Sequence, residues 1–241
     1  MIVKTEAIVL ITRNYSDSSK ILVLFTKDKG KLSVLAKGAT KPKSKFGYSV
    51  QSLVHSEVNY YEKSGRSLQI LSSSEILTLF KNTQSDFKRL ACGMMIAELV
   101  NISQHENEKN ENIFNDILTA LNLLNNKIDP FSVLIKFQIK LAKDMGFGLH
   151  YGKQLGFITT PNVLFSLDDC MLNNQSSFNY NIKRIYLEKL YKLQKTSLQS
   201  TKDFNLTAEE FSIINQLLAK YFSFHLDKKV KYKSYSLLNI T

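Results

Sequence analysis

The sequence predicts an α+β protein of two domains, in which a small five-stranded barrel over residues 1–80 precedes a helical domain over residues 81–241. Two observations support this prediction. Apolar and polar residues alternate in the first 80 residues, which is the period of a half-buried strand. From about Ser85 onward, apolar residues recur at helical spacing instead. Because 44% of the residues are hydrophobic, the chain can build a core for each domain.

Five short strands separated by turns are predicted for the first domain. Val3 to Val9 alternate in character, and Ile21 to Thr26 form a β-branched and aromatic run. Lys27 to Gly30 then form a turn whose glycine tolerates a positive φ. The remaining strands are predicted at residues 32–36, 54–60 and 67–72. Five strands in about 75 residues, with nothing to cover an open edge, favour a closed or nearly closed barrel.

Capping residues mark two of the helices predicted for the second domain. Asp129 is an N-cap before Pro130 at the first helical position, and Gly146 ends that helix. Thr207-Ala-Glu-Glu210 is a capping box that opens the last helix. Further helices are predicted over residues 87–100, 113–124 and 182–193. Residues 147–181 show no clear period and are expected to form an irregular insert.

The formal charge of +11 is concentrated at the two ends of the chain. Residues 1–45 hold ten lysines and arginines against three acidic residues, and residues 220–241 hold five lysines against Asp227. The segment between them carries equal numbers of positive and negative side chains. This distribution favours nucleic acid as the partner. A membrane surface is the weaker alternative, because the basic ends lack an amphipathic helix with exposed large apolar residues.

The cysteines and the apolar runs indicate a cytoplasmic protein. Cys92 and Cys170 are the only cysteines and belong to no Cys-x-x-Cys pair, which indicates a reducing compartment without a structural zinc. We expect no signal peptide, because Glu6 interrupts the N-terminal apolar stretch, and no transmembrane run.

No group of residues indicates catalysis. Gly146 and Gly148 lack the third glycine of a phosphate loop, and the four histidines lack a metal-ligand spacing. We therefore predict a binding protein, not an enzyme, without cofactor or metal. The alternative is an enzyme whose site gathers His150, Asp168 and Asp169 in the irregular insert.

A loop with four lysines in nine residues is the candidate nucleic-acid contact, and its members are Lys37, Lys41, Lys43 and Lys45. Ammonium groups suit phosphates, and a loop can follow a nucleic-acid backbone without reading its sequence. Arg13 and Lys31 of the same basic segment complete the predicted surface. The alternative is a lysine-biased composition, which does not explain the neutral middle of the chain.

Aromatic residues near this loop offer stacking surfaces for bases, although burial in the barrel is the favoured interpretation. They are Phe46, Tyr48, Tyr60 and Tyr61.

A second predicted DNA contact near the C-terminus comprises Lys228, Lys229, Lys231 and Lys233. Its alternatives are a cluster at a helix C-terminus and a solvated tail. On the third long helix, a face that we expect to be solvated carries Lys136, Lys140 and Lys143.

Several short motifs follow one another in a distinctive order. The first domain contains Lys4-Thr-Glu-Ala-Ile-Val-Leu10, Tyr15-Ser-Asp17, Phe25-Thr26 with Gly30, and Ala36-Lys-Gly-Ala39. The second contains Phe137 through Met145-Gly-Phe147, Tyr221-Phe-Ser-Phe-His225-Leu226 and Lys231-Tyr-Lys-Ser234. In this order the motifs resemble the RecO recombination-mediator family of bacteria over nearly the whole chain.

The resemblance implies an N-terminal OB-fold and a helical domain that docks partners. It implies a DNA repair protein, associated with the bacterial nucleoid, that binds single- and double-stranded DNA and anneals complementary strands. It further implies help in loading RecA, together with RecR, onto DNA coated with single-stranded-DNA-binding protein. The acidic tail of that coating protein is an implied partner, and Lys136 and Phe137 match positions beside the family's tail-binding pocket. The alternative function is an RNA-binding OB-fold protein that acts on ribosomes or transcripts.

One stretch departs from the family pattern. Many members carry a zinc site that begins with Cys-x-x-Cys-Gly, where this chain has Gly152-Lys-Gln-Leu155-Gly156. Only Cys170 stands near the second ligand pair. The comparison implies that zinc is absent and that packing holds residues 150–180.

Overall fold

Five strands form a closed barrel at the start of the chain, in the order β1-β2-β3-β5-β4. The computed structural model describes residues 1–172, 176–198 and 204–240. The strands are β1 (Ile2–Ser16), β2 (Ser19–Thr26), β3 (Gly30–Ala36), β4 (His55–Tyr61) and β5 (Leu68–Thr78). Neighbours are antiparallel except for β3 and β5, which pair in parallel. The predicted five-stranded barrel is confirmed.

Apolar side chains from alternate positions of each strand fill the interior of the barrel. Side chains of one parity point inward, so Leu22 and Leu24 of β2 face the core together with Leu32 and Val34 of β3. These side chains are almost completely buried. The same period of two that predicts the strands therefore also identifies the core.

Three helices join the barrel in the first of two compact units, Met1–Asn125. They are α1 (Lys81–Ser85), α2 (Phe87–Ser103) and α3 (Glu111–Asn125). The linker between α2 and α3, residues 104–110, lies against the β2–β3 turn, where the Asn107 N–H donates to the Lys31 carbonyl at 2.8 Å. Gly30 has a φ of +65°, and a Cβ there would lie 1.8 Å from the Glu108 carbonyl oxygen. Only glycine permits this close approach.

The second compact unit, Asn126–Thr241, is mainly helical. Its helices are α4 (Pro130–Asp144), α5 (Gly152–Leu155), α6 (Arg184–Lys195) and α7 (Ala208–Leu226). Both predicted caps are present. The Asp129 carboxylate accepts from the Ser132 N–H at 2.9 Å, and Thr207 and Glu210 form a capping box. A barrel followed by a helical part confirms the α+β fold class.

The insert at residues 147–181 is more regular than expected. It contains α5 and an antiparallel hairpin of β6 (Asn162–Ser166) and β7 (Asn179–Lys183). The short strands alternate over only five residues each, which is why no period is visible in the sequence. Packing holds the hairpin, since the rings of Tyr151 and Phe165 are fully buried and meet edge to face at 5.5 Å.

The barrel strands end at Thr78 and the first helix begins at Lys81, which matches the change at residue 80 that the sequence predicts. The compact units divide the chain later, because α1, α2 and α3 group with the barrel. The assignment of separate functions to residues 1–80 and 81–241 stays a prediction. In the described ranges, no helix has both the length and the apolar character needed to cross a bilayer.

Candidate nucleic-acid interface

The lysine loop, residues 37–45, connects β3 to a 3₁₀ turn at Gly47–Val50. Apolar side chains anchor the segment at both ends, because Ala39, Phe46 and Val50 belong to the barrel core. Phe46 and Val50 are nearly or completely buried. The backbone of the loop is therefore held over one end of the barrel, with its polar side chains outside.

Hydrogen bonds fasten this segment to the β1–β2 hairpin. The Thr40 hydroxyl donates to the Asp17 carbonyl at 2.7 Å, and the Thr40 N–H donates to the Ser18 carbonyl at 3.2 Å. Farther along, the Thr12 hydroxyl donates to the Val50 carbonyl at 2.7 Å. The loop and the tip of the hairpin consequently form one continuous rim.

The four lysines of the loop are exposed and unneutralised. Lys37, Lys41, Lys43 and Lys45 are all exposed, and none forms an ion pair with a residue that the structure describes. Arg13 and Lys20 lie on the adjoining hairpin, where Lys20 pairs in register with Ala36, the residue before Lys37. We call the lysine loop together with Arg13 and Lys20 the basic rim.

Four other lysines of the same unit are neutralised by carboxylates. The ion pairs join Lys4 to Glu57 at 2.7 Å, Lys27 to Glu6 at 3.3 Å, Lys29 to Glu62 at 3.2 Å and Lys109 to Asp28 at 3.7 Å. The hydrogen bond from Lys27 to Glu6 raises the pKa of Lys27 above its ordinary value. These cations present much less free charge to an anionic partner than the basic rim does.

Lys31 does not stand free as the sequence suggests. Its ammonium group donates to the Asn101 carbonyl near the C-terminus of α2, at 2.6 Å. A cation there satisfies a helix-end carbonyl and interacts favourably with the helix dipole. Lys31 thus has a structural function within the first unit, and we leave it out of the proposed interface.

Lys136 is also buried, and the expectation of a solvated face is wrong for this residue. Its side chain is 5% exposed, and its ammonium group donates to the carbonyls of Leu193 at 2.7 Å and Gln194 at 3.1 Å, near the end of α6. Burial lowers the pKa of Lys136 to about 8, with Lys143 and Lys140 contributing. Phe137 is 1% exposed. The predicted partner contact of both residues stays a prediction, and neither side chain forms the surface in this structure.

The second basic segment is an anchored tail that leads from the end of α7 into a 3₁₀ helix at Lys233–Leu238. Lysines alternate with inward residues, because Val230 and Tyr232 are buried and the Gln138 amide donates to the Tyr232 hydroxyl at 2.8 Å. The Val230 N–H donates to the Ser223 hydroxyl at 2.9 Å. The predicted lysines are all exposed, namely Lys228, Lys229, Lys231 and Lys233. They form a fixed basic edge of the second unit.

The aromatic candidates divide between core and surface. Phe46 and Tyr60 are buried in the barrel, and burial raises the pKa of Tyr60 to about 12. Tyr48 and Tyr61 are exposed. Tyr15, which the sequence does not single out as a base contact, is exposed at the hairpin tip. It lies within a run of exposed residues, 13–17, that no period in the sequence marks.

The residues of the enzyme alternative form a turn. The Asp168 carboxylate accepts from the Ser166 hydroxyl and from the Asp169 N–H, and the Asp169 carboxylate accepts from the Met171 N–H at 3.0 Å. The nearby His150 N–H donates to the Cys170 sulfur at 3.2 Å. The contacts of Asp168 and Asp169 are local hydrogen bonds typical of a turn.

The family's zinc does not fit the residues present in the insert. Gly152 and Leu155 have no ligating atoms, and burial raises the pKa of the Cys170 thiol, which disfavours the thiolate that zinc requires. Among the described residues, no three His, Cys, Asp or Glu side chains are grouped so as to hold a metal ion.

A closed five-stranded barrel with a basic rim, followed by a mainly helical unit, defines an OB-type protein whose surface suits an anionic partner. Comparison with known proteins assigns the family. The model for the N-terminal part of recombination protein O matches residues 1–80, and the model for its C-terminal part matches residues 84–234. The chain belongs to the RecO family of DNA repair proteins.

Similar proteins in several bacteria carry the name DNA repair protein RecO. The protein of Salinibacter ruber is 37% identical over 146 residues, which cover 60% of this chain and 56% of the relative. Proteins from Clostridium perfringens and Alkaliphilus metalliredigens are 27% and 28% identical, and these matches cover 92% and 95% of this chain. They cover 94% and 95% of the relatives.

Proposed function

We propose that this protein is a non-enzymatic recombination mediator that binds DNA through the basic rim. The observation that carries the proposal is a loop of four exposed lysines without carboxylate partners, fixed to the barrel by buried side chains and hydrogen bonds. Such a loop binds phosphates without selecting base sequence. A mediator that acts on any damaged region requires this lack of sequence preference.

Charge neutralisation supplies the mechanism of strand annealing. Two complementary strands repel each other through their phosphates, and the screening length is about 8–10 Å at ordinary salt. Lysines that neutralise phosphates on both strands lower this repulsion, so that complementary segments meet and pair. The exposed lysines of the anchored tail add a second basic edge in the other unit.

Family membership supports the finer part of the proposal. We infer that the protein assists RecA loading with RecR on DNA coated with single-stranded-DNA-binding protein, and that it binds the acidic tail of the coating protein.

A strand-annealing assay tests the proposed function. Complementary oligonucleotides are mixed with the protein, either bare or coated with single-stranded-DNA-binding protein. We expect accelerated annealing of both substrates, and loss of it when Lys37, Lys41, Lys43 and Lys45 are all replaced by alanine. Failure of the unaltered protein to anneal either substrate contradicts the mediator function. Stronger competition by matched RNA than by DNA would favour the RNA-binding alternative.

A further inference from the structure

Two exposed tyrosines flank the lysine loop. Tyr15 on β1 is 61% exposed, and Tyr48 in the 3₁₀ turn after the loop is 67% exposed. Single exposed aromatic residues are common on protein surfaces and need no function. These two differ from such residues because both stand on fixed backbone beside unneutralised cations.

Tyr15 lies at a β-bulge near the tip of the β1–β2 hairpin. Asn14 pairs with Lys20 and Ser16 pairs with Ser19, so Tyr15 is the extra residue between two regular pairs. A bulge interrupts the inward and outward alternation of a strand and redirects one side chain, most often at a barrel rim or beside a functional site. Residues 13–17 are all exposed, so Tyr15 stands on a solvent-facing hairpin tip whose backbone pairing includes the bulge.

Hydrogen bonds place both tyrosines at the basic rim. Thr40 of the lysine loop binds the carbonyls of Asp17 and Ser18, next to Tyr15 in the hairpin tip. Thr12 binds the carbonyl of Val50, which ends the turn that holds Tyr48. Thr12 and Tyr15 are three residues apart on β1, or roughly 10 Å. The two anchoring contacts therefore lie along one short stretch of chain, residues 12–18.

We propose that Tyr15 and Tyr48 stack on unpaired bases and give the basic rim a preference for single-stranded over double-stranded DNA. The inference rests on the proposed function, because it assumes that the lysines hold the phosphates. Single strands expose base faces, whereas in a duplex the faces are covered by neighbouring base pairs. The lysines set the affinity for both DNA forms, and the tyrosines raise the affinity for the single-stranded form.

Tyr61 provides a matched control. It is 49% exposed on β4, where it pairs in register with Ile2, and the neighbouring Glu62 is ion-paired with Lys29. Removal of this ring takes away comparable aromatic surface from beside the start of β1, whereas Tyr15 lies near the end of that strand. Tyr61→Ala should leave DNA affinity unchanged.

Binding of a labelled oligodeoxythymidine strand and of a duplex of equal length, at one salt concentration, measures the preference. We expect Tyr15→Ala and Tyr48→Ala each to weaken single-strand binding about tenfold, while duplex binding changes less than about twofold. Phenylalanine at either position should restore the preference, because it keeps the ring. Equal losses for both DNA forms, no loss, or the same loss in Tyr61→Ala would overturn the inference.

A fluorescence measurement reports stacking directly, because the chain contains no tryptophan. Tyr15→Trp and Tyr48→Trp each introduce a single indole, whose emission should be quenched by the oligodeoxythymidine strand and much less by the duplex. Tyr61→Trp should respond to neither. If the wild-type protein binds neither DNA form, the proposed function itself fails. If it binds DNA but the indoles at positions 15 and 48 are not quenched, only the stacking inference fails.

Discussion

The lysine loop and the β2–β3 turn are two lysine-rich segments of one barrel, and they differ in what their ammonium groups contact. In the turn, Lys27 and Lys29 face Glu6 and Glu62, and nearby Lys31 donates to a carbonyl of α2. In the loop, none of the four lysines has an acidic partner in the described part of the chain. Lysine density alone therefore does not identify an interface.

The difference follows from what the chain places against each segment. The carboxylates that pair with Lys27 and Lys29 lie on β1 and directly after β4, and the α2–α3 linker, which lies against the β2–β3 turn, contributes Lys109 to an ion pair with Asp28. The lysine loop is seated on the hairpin tip, which contributes backbone carbonyls to Thr40. Carbonyls fix the position of the loop but do not neutralise its charge. The turn is a structural junction, and the loop is a free cationic surface.

The largest expected effect concerns the structural junction at Gly30. Gly30→Ala adds a Cβ that overlaps the Glu108 carbonyl and requires a left-handed φ, so we expect the free energy of unfolding to fall by about 3 kcal/mol. Urea denaturation measures the change. Gly65→Ala is the control, because Gly65 has a φ of +75° but no atom within 4 Å of its added Cβ. Gly65→Ala should lower the free energy of unfolding by only about 1–2 kcal/mol. An equal decrease in the two variants would contradict the close packing of Gly30 against Glu108.

A second effect concerns Lys136, which like Lys31 binds carbonyls near a helix end. Its pKa falls from the ordinary 10.5 to about 8, so between these values the unfolded chain binds a proton that the folded chain has released. Stability must then rise with pH in this window. Relative to Lys136→Met, the free energy of unfolding of the wild-type protein should rise by roughly 2–3 kcal/mol from pH 8 to pH 10. Parallel pH profiles would contradict the burial of a charged lysine.

A smaller effect is expected from the anchored tail. Alanine at Lys228, Lys229, Lys231 and Lys233 should weaken DNA binding about tenfold, because these lysines add phosphate contacts in the second unit. Tyr232→Phe is the control, since it keeps every charge and removes one hydrogen bond from Gln138. We expect it to lower stability by about 1 kcal/mol and to leave affinity unchanged. Equal DNA affinities for the wild-type protein and the lysine variant, measured by fluorescence anisotropy, would show that these lysines do not contact DNA.

Local patterns predict most of the fold. Alternation identifies the barrel strands, and the Asp129 and Thr207 caps locate the starts of α4 and α7. The hairpin of β6 and β7 escapes prediction because two five-residue strands carry too little periodic signal. The α2–α3 linker joins the barrel through contacts that no local pattern encodes.

The candidate site is predictable only in part, because charge is visible in a sequence whereas contacts are not. The lysine loop stands out by composition. The carbonyl partners of Lys31 and Lys136 lie 70 and 57 residues away along the chain, so the burial of these lysines depends on the tertiary fold. The exposure of Tyr15 belongs to the hairpin tip, where residues 13–17 are all exposed, and no period in the sequence marks it.

The comparison of free with neutralised lysines is tested most directly by the salt dependence of DNA binding. One variant replaces the free lysines with alanine, namely Lys37, Lys41, Lys43 and Lys45. The matched variant replaces four neutralised ones, namely Lys4, Lys27, Lys29 and Lys109. Both variants lose the same formal charge. Because each phosphate contact contributes about 0.7–0.9 to the slope of log affinity against log salt, the free-lysine variant should lose about 3 from this slope and the matched variant less than about 1. Equal losses in the two variants would show that net charge, and not the basic rim, governs DNA binding.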